Sequence, residues 1–457
     1  MSTEQGKLTK YPIGSLRELW HISWPLMLMS FSVYAMMFAD RIILSRYSME
    51  VMNAAVVAGA AYAAFVFSML SLALIAEVFV GQYNGSGQLK RIGEPVWQMV
   101  WFSLMTICIF WPAAFFLGDI FLNQEATKVA IPYFKWIMLF GPLGPMIGAL
   151  AAFNVGRGKT VVVTLAVATG NIINAILGYF FVFGIEGVIP SMGGKGAAIA
   201  MGISEAIQVI ILFTIFLKEK NRKLYGTGKF HFKSKEFFKC IKVGGPNAIA
   251  FGVGIAAWAF FNDLIAGTGL AYMTALAICQ NYFFFFFFIT EGMGKAVTTI
   301  TANLIGAKKP EMVPKLLISA IKLHGIFICI LMLPLIFYSK PFIDIFLANN
   351  PSAQNIAGLY EMADNALTWV WVTILFNGIA WIFMAQLTAA GDTKFLMYLN
   401  MISAWTFLLM PAYVFIQVLG YSASLSWKIM VLDVVMMSIF VILRYRSGKW
   451  KKFNIID

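Results

Sequence analysis

Long apolar runs alternate with short polar breaks along the whole chain. Runs long enough to cross a bilayer as a helix, about 20 residues, occupy 20–45, 54–82, 95–117, 128–153, 161–185 and 196–217. A second set occupies 244–266, 273–302, 314–338, 358–388, 396–419 and 424–444. The pattern predicts twelve membrane-spanning helices, six in each half. Sliding one half 221 positions along the other lays Pro25 over Pro246, Met52 over Met273 and Gly85 over Gly306. About a dozen residues further on, Gly158 lies over Gly391 and Gly187 over Gly420. Helix breakers at matched places in two apolar halves mark an internal repeat. The change of offset is expected in 339–356, which is longer than its counterpart 118–127.

The basic residues give the orientation. With a cytoplasmic N-terminus, the even-numbered connections should carry the Lys and Arg excess. Lys90 and Arg91 follow the second span, Arg157 and Lys159 the fourth, and Lys308 and Lys309 the eighth. The connection after the sixth is richest, with bases from Lys218 to Lys242, and the tail adds Arg444, Arg446, Lys449, Lys451 and Lys452. Both termini are expected in the cytoplasm. Six spans per half is an even number, so the halves are parallel repeats about an axis along the membrane normal. The expected organisation is an N-lobe over 1–217, a basic cytoplasmic linker over 218–243 and a C-lobe over 244–457.

Composition narrows the class. Of 457 residues, 60% are hydrophobic and 12% charged, which suits a bilayer and exceeds what a soluble core needs. The net charge of +13 sits where insertion rules put it, so no nucleic-acid partner is called for. Residues 1–18 are polar and lack the apolar stretch of a secretory signal, so the first span is expected to be retained. Cys108, Cys240, Cys279 and Cys329 show no paired spacing and read as small buried hydrophobes. His21, His231 and His324 are scattered, which speaks against a histidine metal site, a catalytic triad and an enzyme.

Ionisable side chains inside apolar spans cost about 2.5–3.5 kcal/mol at a helix centre and stand out for that reason. Asp40 lies two-thirds of the way along the first span, and Arg41 points about 100° away around the helix. Held away from bulk water, Asp40 could exchange a proton or bind a monovalent cation; otherwise it is an interfacial acid paired with Arg41 or Arg46. Asn171 and Asn174 put two amides on one face of the fifth span, to serve a cation or carboxylate or to act as interhelical glue. Glu291 and Lys295, one turn apart in the eighth span, read as a self-compensated pair or as a coupled switch facing a cleft. Glu77, Glu205, Asp263, Asp364 and Asp433 also lie in or near spans, Glu77 and Asp263 close enough to predicted ends for water to reach them. The six phenylalanines from Phe283 to Phe288 circle their helix, so most must face lipid or packing.

Several short motifs in order complete the reading: FADRIILSR in the first span, VGQYNGSG at 79–87 and VGRGKT at 155–160. NIIN in the fifth span, GAAIAMGIS at 196–204, NLIGAKKPE at 303–311 and AAGDTK at 389–394 follow. In these, over nearly its whole length, the chain resembles the multidrug and toxic compound extrusion (MATE) family. The resemblance implies an all-α membrane protein of twelve helices in two six-helix lobes, in which H⁺ or Na⁺ entry drives export of organic compounds. It further implies that Asp40 is the coupling acid and Asn174 its supporting amide, the two together forming the Na⁺ site if Na⁺ is the ion.

One turn on, where relatives often carry Asn or Asp, stands Gly178, which leaves Asn171 as a substitute. At the positions of the relatives' acids in helices seven and ten stand Gly254 and Ile379, with Asn262 and Asn377 as the nearest polar groups. A C-lobe polar site would then draw on Glu291, Lys295, Asn262 and Asn377. The protein is expected to be a monomer in the plasma (inner) membrane, with no cofactor beyond its coupling ion and a small amphiphilic or cationic substrate. Two rivals stay open. A flippase for lipid-linked substrates would use Arg41 and Lys295 in the cleft, and a transport-inactive scaffold would bind a partner through its basic linker.

Overall fold

The protein's structure, a computed structural model, describes residues 6–121, 129–347, 358–453 and 455–456. Among the described residues, twelve helices are long and apolar enough to span a membrane. They are α1 (Leu16–Tyr47), α2 (Met49–Gly85), α3 (Leu89–Leu117), α4 (Ile131–Val155), α5 (Thr160–Phe183) and α6 (Gly193–Phe216) in the first half. The second half holds α7 (Ser234–Ile265), α8 (Thr274–Gly306), α9 (Pro310–Phe337), α10 (Leu359–Ala390), α11 (Thr393–Val418) and α12 (Leu425–Arg446). Most of the segment expected to absorb the change of repeat offset lies outside the described residues, as does 122–128.

The helices divide as the repeat predicts. In the first lobe α5 packs on α1 and α6, and α4 packs on α3 and α6; in the second α10 packs on α8, α9 and α12, and α7 on α11. Matched prolines deform matched helices. A π-turn over Ala113–Leu117 follows Pro112 in α3, and one over Leu333–Phe337 contains Pro334 in α9. Proline removes a ladder donor and crowds the preceding carbonyl, so the local hydrogen-bond register widens. Large apolar side chains such as Phe116, Leu165 and Ile172 point outward, as befits helices whose solvent is hydrocarbon.

The lobes meet where α2 and α8 cross. A Cβ on Gly85 would fall on the Asn303 carbonyl, and a Cβ on Gly306 would fall on the Gln82 carbonyl. Gln82 and Asn303 are themselves repeat mates at the 221-residue offset, so the crossing is reciprocal, as a two-fold axis requires. Polar side chains tie the same seam. Gln82 Nε2 donates to the Ala389 carbonyl at 2.8 Å, Asn84 Nδ2 to Asn303 Oδ1 at 2.6 Å, and Asn303 Nδ2 to the Gly156 carbonyl at 2.7 Å. The chain before α1 adds to it, since Ser319 Oγ of α9 donates to the Gly14 carbonyl at 2.7 Å. A Cβ on Gly59 of α2 or Gly254 of α7 would meet nothing within 4 Å. The lobe-to-lobe polar bonds thus gather at the end bearing the termini, where the cleft is closed.

Two expectations need correction. The helix α7 begins at Ser234, inside the segment read as linker, because Phe237 and Cys240 are already buried. Apolarity alone missed these turns, whose other faces carry Lys235, Glu236, Lys239 and Lys242. Only Cys240 and Cys279 are buried; Cys108 and Cys329 are exposed on the outer surface of the helices. The linker itself is strapped to α3. Trp97 Nε1 donates to the Thr227 carbonyl at 2.8 Å, and Lys233 Nζ lies 2.6 Å from Glu94 Oε1.

Candidate functional site

Three side chains of α5 fasten it to α1. Thr164 Oγ1 donates to the Pro25 carbonyl at 2.7 Å, and Asn171 Nδ2 to Ser32 Oγ at 2.9 Å. Asn174 Nδ2 then reaches both carboxylate oxygens of Asp40, at 3.0 and 3.1 Å. Both helices run in the same direction, so polar residues on facing stripes meet in ascending order. The amide of Asn174 is buried, and its carbonyl oxygen has no hydrogen-bond partner.

Among the described residues no base pairs with Asp40; Arg41 is exposed and turned aside. No pairing of Asp40 with Arg41 or Arg46 is therefore seen among the described residues. A Cβ on Gly178 would lie 3.8 Å from Asp40 Oδ1, an ordinary contact, so the glycine leaves room beside the carboxyl. Tyr133 of α4 stands within electrostatic reach of Asp40 and Arg41. Asn171 does not join this group. Its place on the same helical face as Asn174 was legible, but the drift of α1 past α5 brings it to Ser32.

A second polar array runs along α8. Glu291, Lys295, Thr299 and Asn303 recur every four residues, which keeps them near one face of a helix of 3.6 residues per turn. Each meets something. Lys295 Nζ lies 2.7 Å from Glu291 Oε1, and Tyr34 Oη of α1 donates to Glu291 Oε2 at 3.5 Å. Thr299 Oγ1 donates to Glu77 Oε1 at 2.7 Å, and Asn303 makes the seam bonds described above. Glu77 is therefore not a water-reached acid near a helix end. It is 5% exposed and lies in the seam, because α2 continues inward and its last ten residues are covered by α8. The four-residue spacing was present in the sequence; only its first two members drew attention there.

The other C-lobe candidates do not converge. Asn262 Oδ1 accepts from Gln280 Nε2 at 2.6 Å, and no hydrogen bond among the described residues joins Asn377 to Asn262, Glu291 or Lys295. A Cβ on Gly254 faces open space, and Ile379 packs against the core. Asp433 pairs with Ser403 and Asp364 with Ser339. At the closed end, outside the spans, the Arg157 guanidinium stacks on Phe153 and Tyr225 and donates to the Phe153 carbonyl at 2.7 Å. Burial pushes its proton affinity below the ordinary arginine value.

Known proteins share this fold. The MatE family model matches residues 25–180 and 247–414, one block in each half. The chain is 25% identical to the probable multidrug resistance protein NorM of Thermotoga maritima, over 91% of this chain and 88% of that one. It is 25% identical to the uncharacterized transporter YisQ of Bacillus subtilis, over 96% of each. A solved transporter of the MOP superfamily from Pyrococcus furiosus superposes with a TM-score of 0.86 at 18% identity, covering 99% of this chain and 100% of that one.

Proposed function

Because the chain belongs to the MatE family of multi-pass membrane transporters, we propose that it is an antiporter exporting small organic compounds in exchange for H⁺ or Na⁺. The ion is taken at Asp40 with Asn174, from the outside. One observation carries this reading: a carboxyl with no basic partner among the described residues, both of whose oxygens are held by a single buried amide. An acid placed in that way is most stable when a proton or a monovalent cation cancels its charge.

The amide serves both states. It donates through Nδ2 to the ionised carboxylate; turned over, it offers its unpartnered oxygen to the carboxylic proton or to Na⁺. Occupancy of Asp40 thus changes what α5 presents to α1. The two helices then repack, the N-lobe cavity contracts and substrate leaves outward, after which the loaded lobes rock to face inward. Asn171 holds the helices together through Ser32 during this change. The names of relatives such as NorM support multidrug substrates, and we take these to be amphiphilic or cationic. The protein would work as a monomer in the plasma (inner) membrane with both termini cytoplasmic.

The flippase alternative has less support. It needs free bases in the cleft for a pyrophosphate, whereas Lys295 is bound by Glu291.

The test is efflux of a fluorescent organic cation from proteoliposomes with proton and sodium gradients imposed separately. Asp40→Asn should lower gradient-driven transport at least tenfold. Normal transport by this variant under both gradients would falsify the coupling assignment.

A further inference from the structure

We infer that Glu77 is a second proton-binding site, set in the seam between the lobes. It is filled when the lobes meet at the end bearing the termini and emptied to that side when they part. The site is separate from Asp40, and its proton returns to the side it came from, so it sets the balance of conformers and adds nothing to the transported charge.

The geometry leads there in three steps. Glu77 lies on α2 in the stretch that crosses α8, with backbones so close that Gly81 would drive a Cβ to 2.7 Å from Ala302 Cβ. Glu77 is itself buried there. The carboxyl receives one hydrogen bond, from Thr299 Oγ1 across the seam. An ionised carboxylate has room for about four donors, so this environment suits the neutral acid.

The charges facing it do not balance. From α8 come Lys295 and, beyond it, Glu291; among the described residues Lys295 is the charged group that acts on Glu77. Its ammonium is already bound to Glu291 at 2.7 Å. The elements flanking the stretch bring Glu94 at the start of α3, Arg91 stacked on the Tyr83 ring, and Arg157 beyond α4, bonded to Phe153 and Asn154. The acids of α10, Glu361 and Asp364, stand at its far end. Two carboxyls thus share one ammonium, and the seam closes as a neutral unit when one of them carries a proton. The repeat mate of Glu77 is Thr298, so only one side of the crossing bears the acid.

Linkage fixes the sign. The closed seam binds one proton more than the open one, so acid on that side favours closure and alkali favours opening. The change is up to tenfold in the conformer ratio per pH unit, across the window in which the open seam has lost the proton and the closed seam keeps it.

Amide hydrogen exchange on the full chain in nanodiscs reads this directly, at about pH 6 and about pH 8, corrected for the intrinsic rate. In the natural sequence, protection of residues 76–85 and 298–306 should fall at least tenfold between the two. Glu77→Gln, a neutral isostere, should keep the acid-side protection at both. Thr299→Ala, which removes the single donor to the ionised form, should extend protection to higher pH and serves if the first variant does not fold. A pH-independent seam in the natural protein, or an unaltered pH response in either variant, overturns the assignment. Asp40→Asn should retain the response. Its loss there would move the proton to Asp40 and overturn the site at Glu77, whereas normal transport by Asp40→Asn would overturn only the coupling mechanism.

Discussion

The α2–α8 crossing makes a quantitative prediction through two glycines, Gly85 and Gly306. A methyl group on Gly306 would lie 2.7 Å from Cα and the carbonyl carbon of Gln82, and one on Gly85 would lie 2.8 Å from the carbonyl carbon of Asn303. Carbon atoms in ordinary contact stand about 3.5–4.0 Å apart. The obstructing atoms are backbone, so no side-chain rotation relieves the overlap, and overpacking of this kind costs about 1–3 kcal/mol. Alanine gains up to about 1 kcal/mol over glycine in a helix interior, and less at these last helical positions. A net cost of about 1–2 kcal/mol remains.

It falls on the closed seam alone, because the methyl has room once the lobes part. Gly85→Ala and Gly306→Ala should each lower the closed-to-open ratio about 5- to 30-fold, and by similar amounts, since they hold equivalent places in the repeat. Gly59→Ala and Gly254→Ala, whose new methyls would meet nothing, are the controls. The assay is hydrogen exchange of 76–85 and 298–306 at one pH, with cation efflux measured in parallel. Wild-type protection in either seam variant, or equal loosening by Gly59→Ala, would refute the claim that this crossing holds the cleft shut.

The remaining predictions concern the polar pairs. Asn174→Ala removes a hydrogen bond to a charged group, worth about 1.5–3 kcal/mol, so ion-driven efflux should fall by about tenfold or more. Asn171→Ala removes only a neutral bond to Ser32 and should cost a few-fold at most; equal losses in gradient-driven efflux would mean that Asn171 also serves the ion. Glu291→Gln or Lys295→Gln alone leaves a half-buried charge unpaired, so each should lower the midpoint of thermal unfolding more than the double substitution does. Additive losses in that cycle would show that the pair contributes nothing as a pair.

Much of this architecture was readable from one-dimensional patterns. Twelve apolar runs dictate twelve helices, because backbone in hydrocarbon must satisfy its own hydrogen bonds. The matched prolines and glycines gave the two-fold relation, down to Gly85 and Gly306, and the basic connections gave a common side for both termini. Asp40 stood out because an acid inside an apolar run is costly, and its partner Asn174 was on the right face of the right helix. Tertiary packing decided the rest. Whether Asn171 or Asn174 reaches Asp40 depends on how far α1 slides along α5, which no periodicity encodes. Glu77 looked solvated because hydropathy marks where a helix leaves the bilayer and says nothing of a second helix laid over that end. The line of Glu291, Lys295, Thr299 and Asn303 acquires its meaning only when α2 and α1 supply the facing groups. Local pattern fixes which residues share a face of one helix; which faces meet is settled by close packing across hundreds of residues.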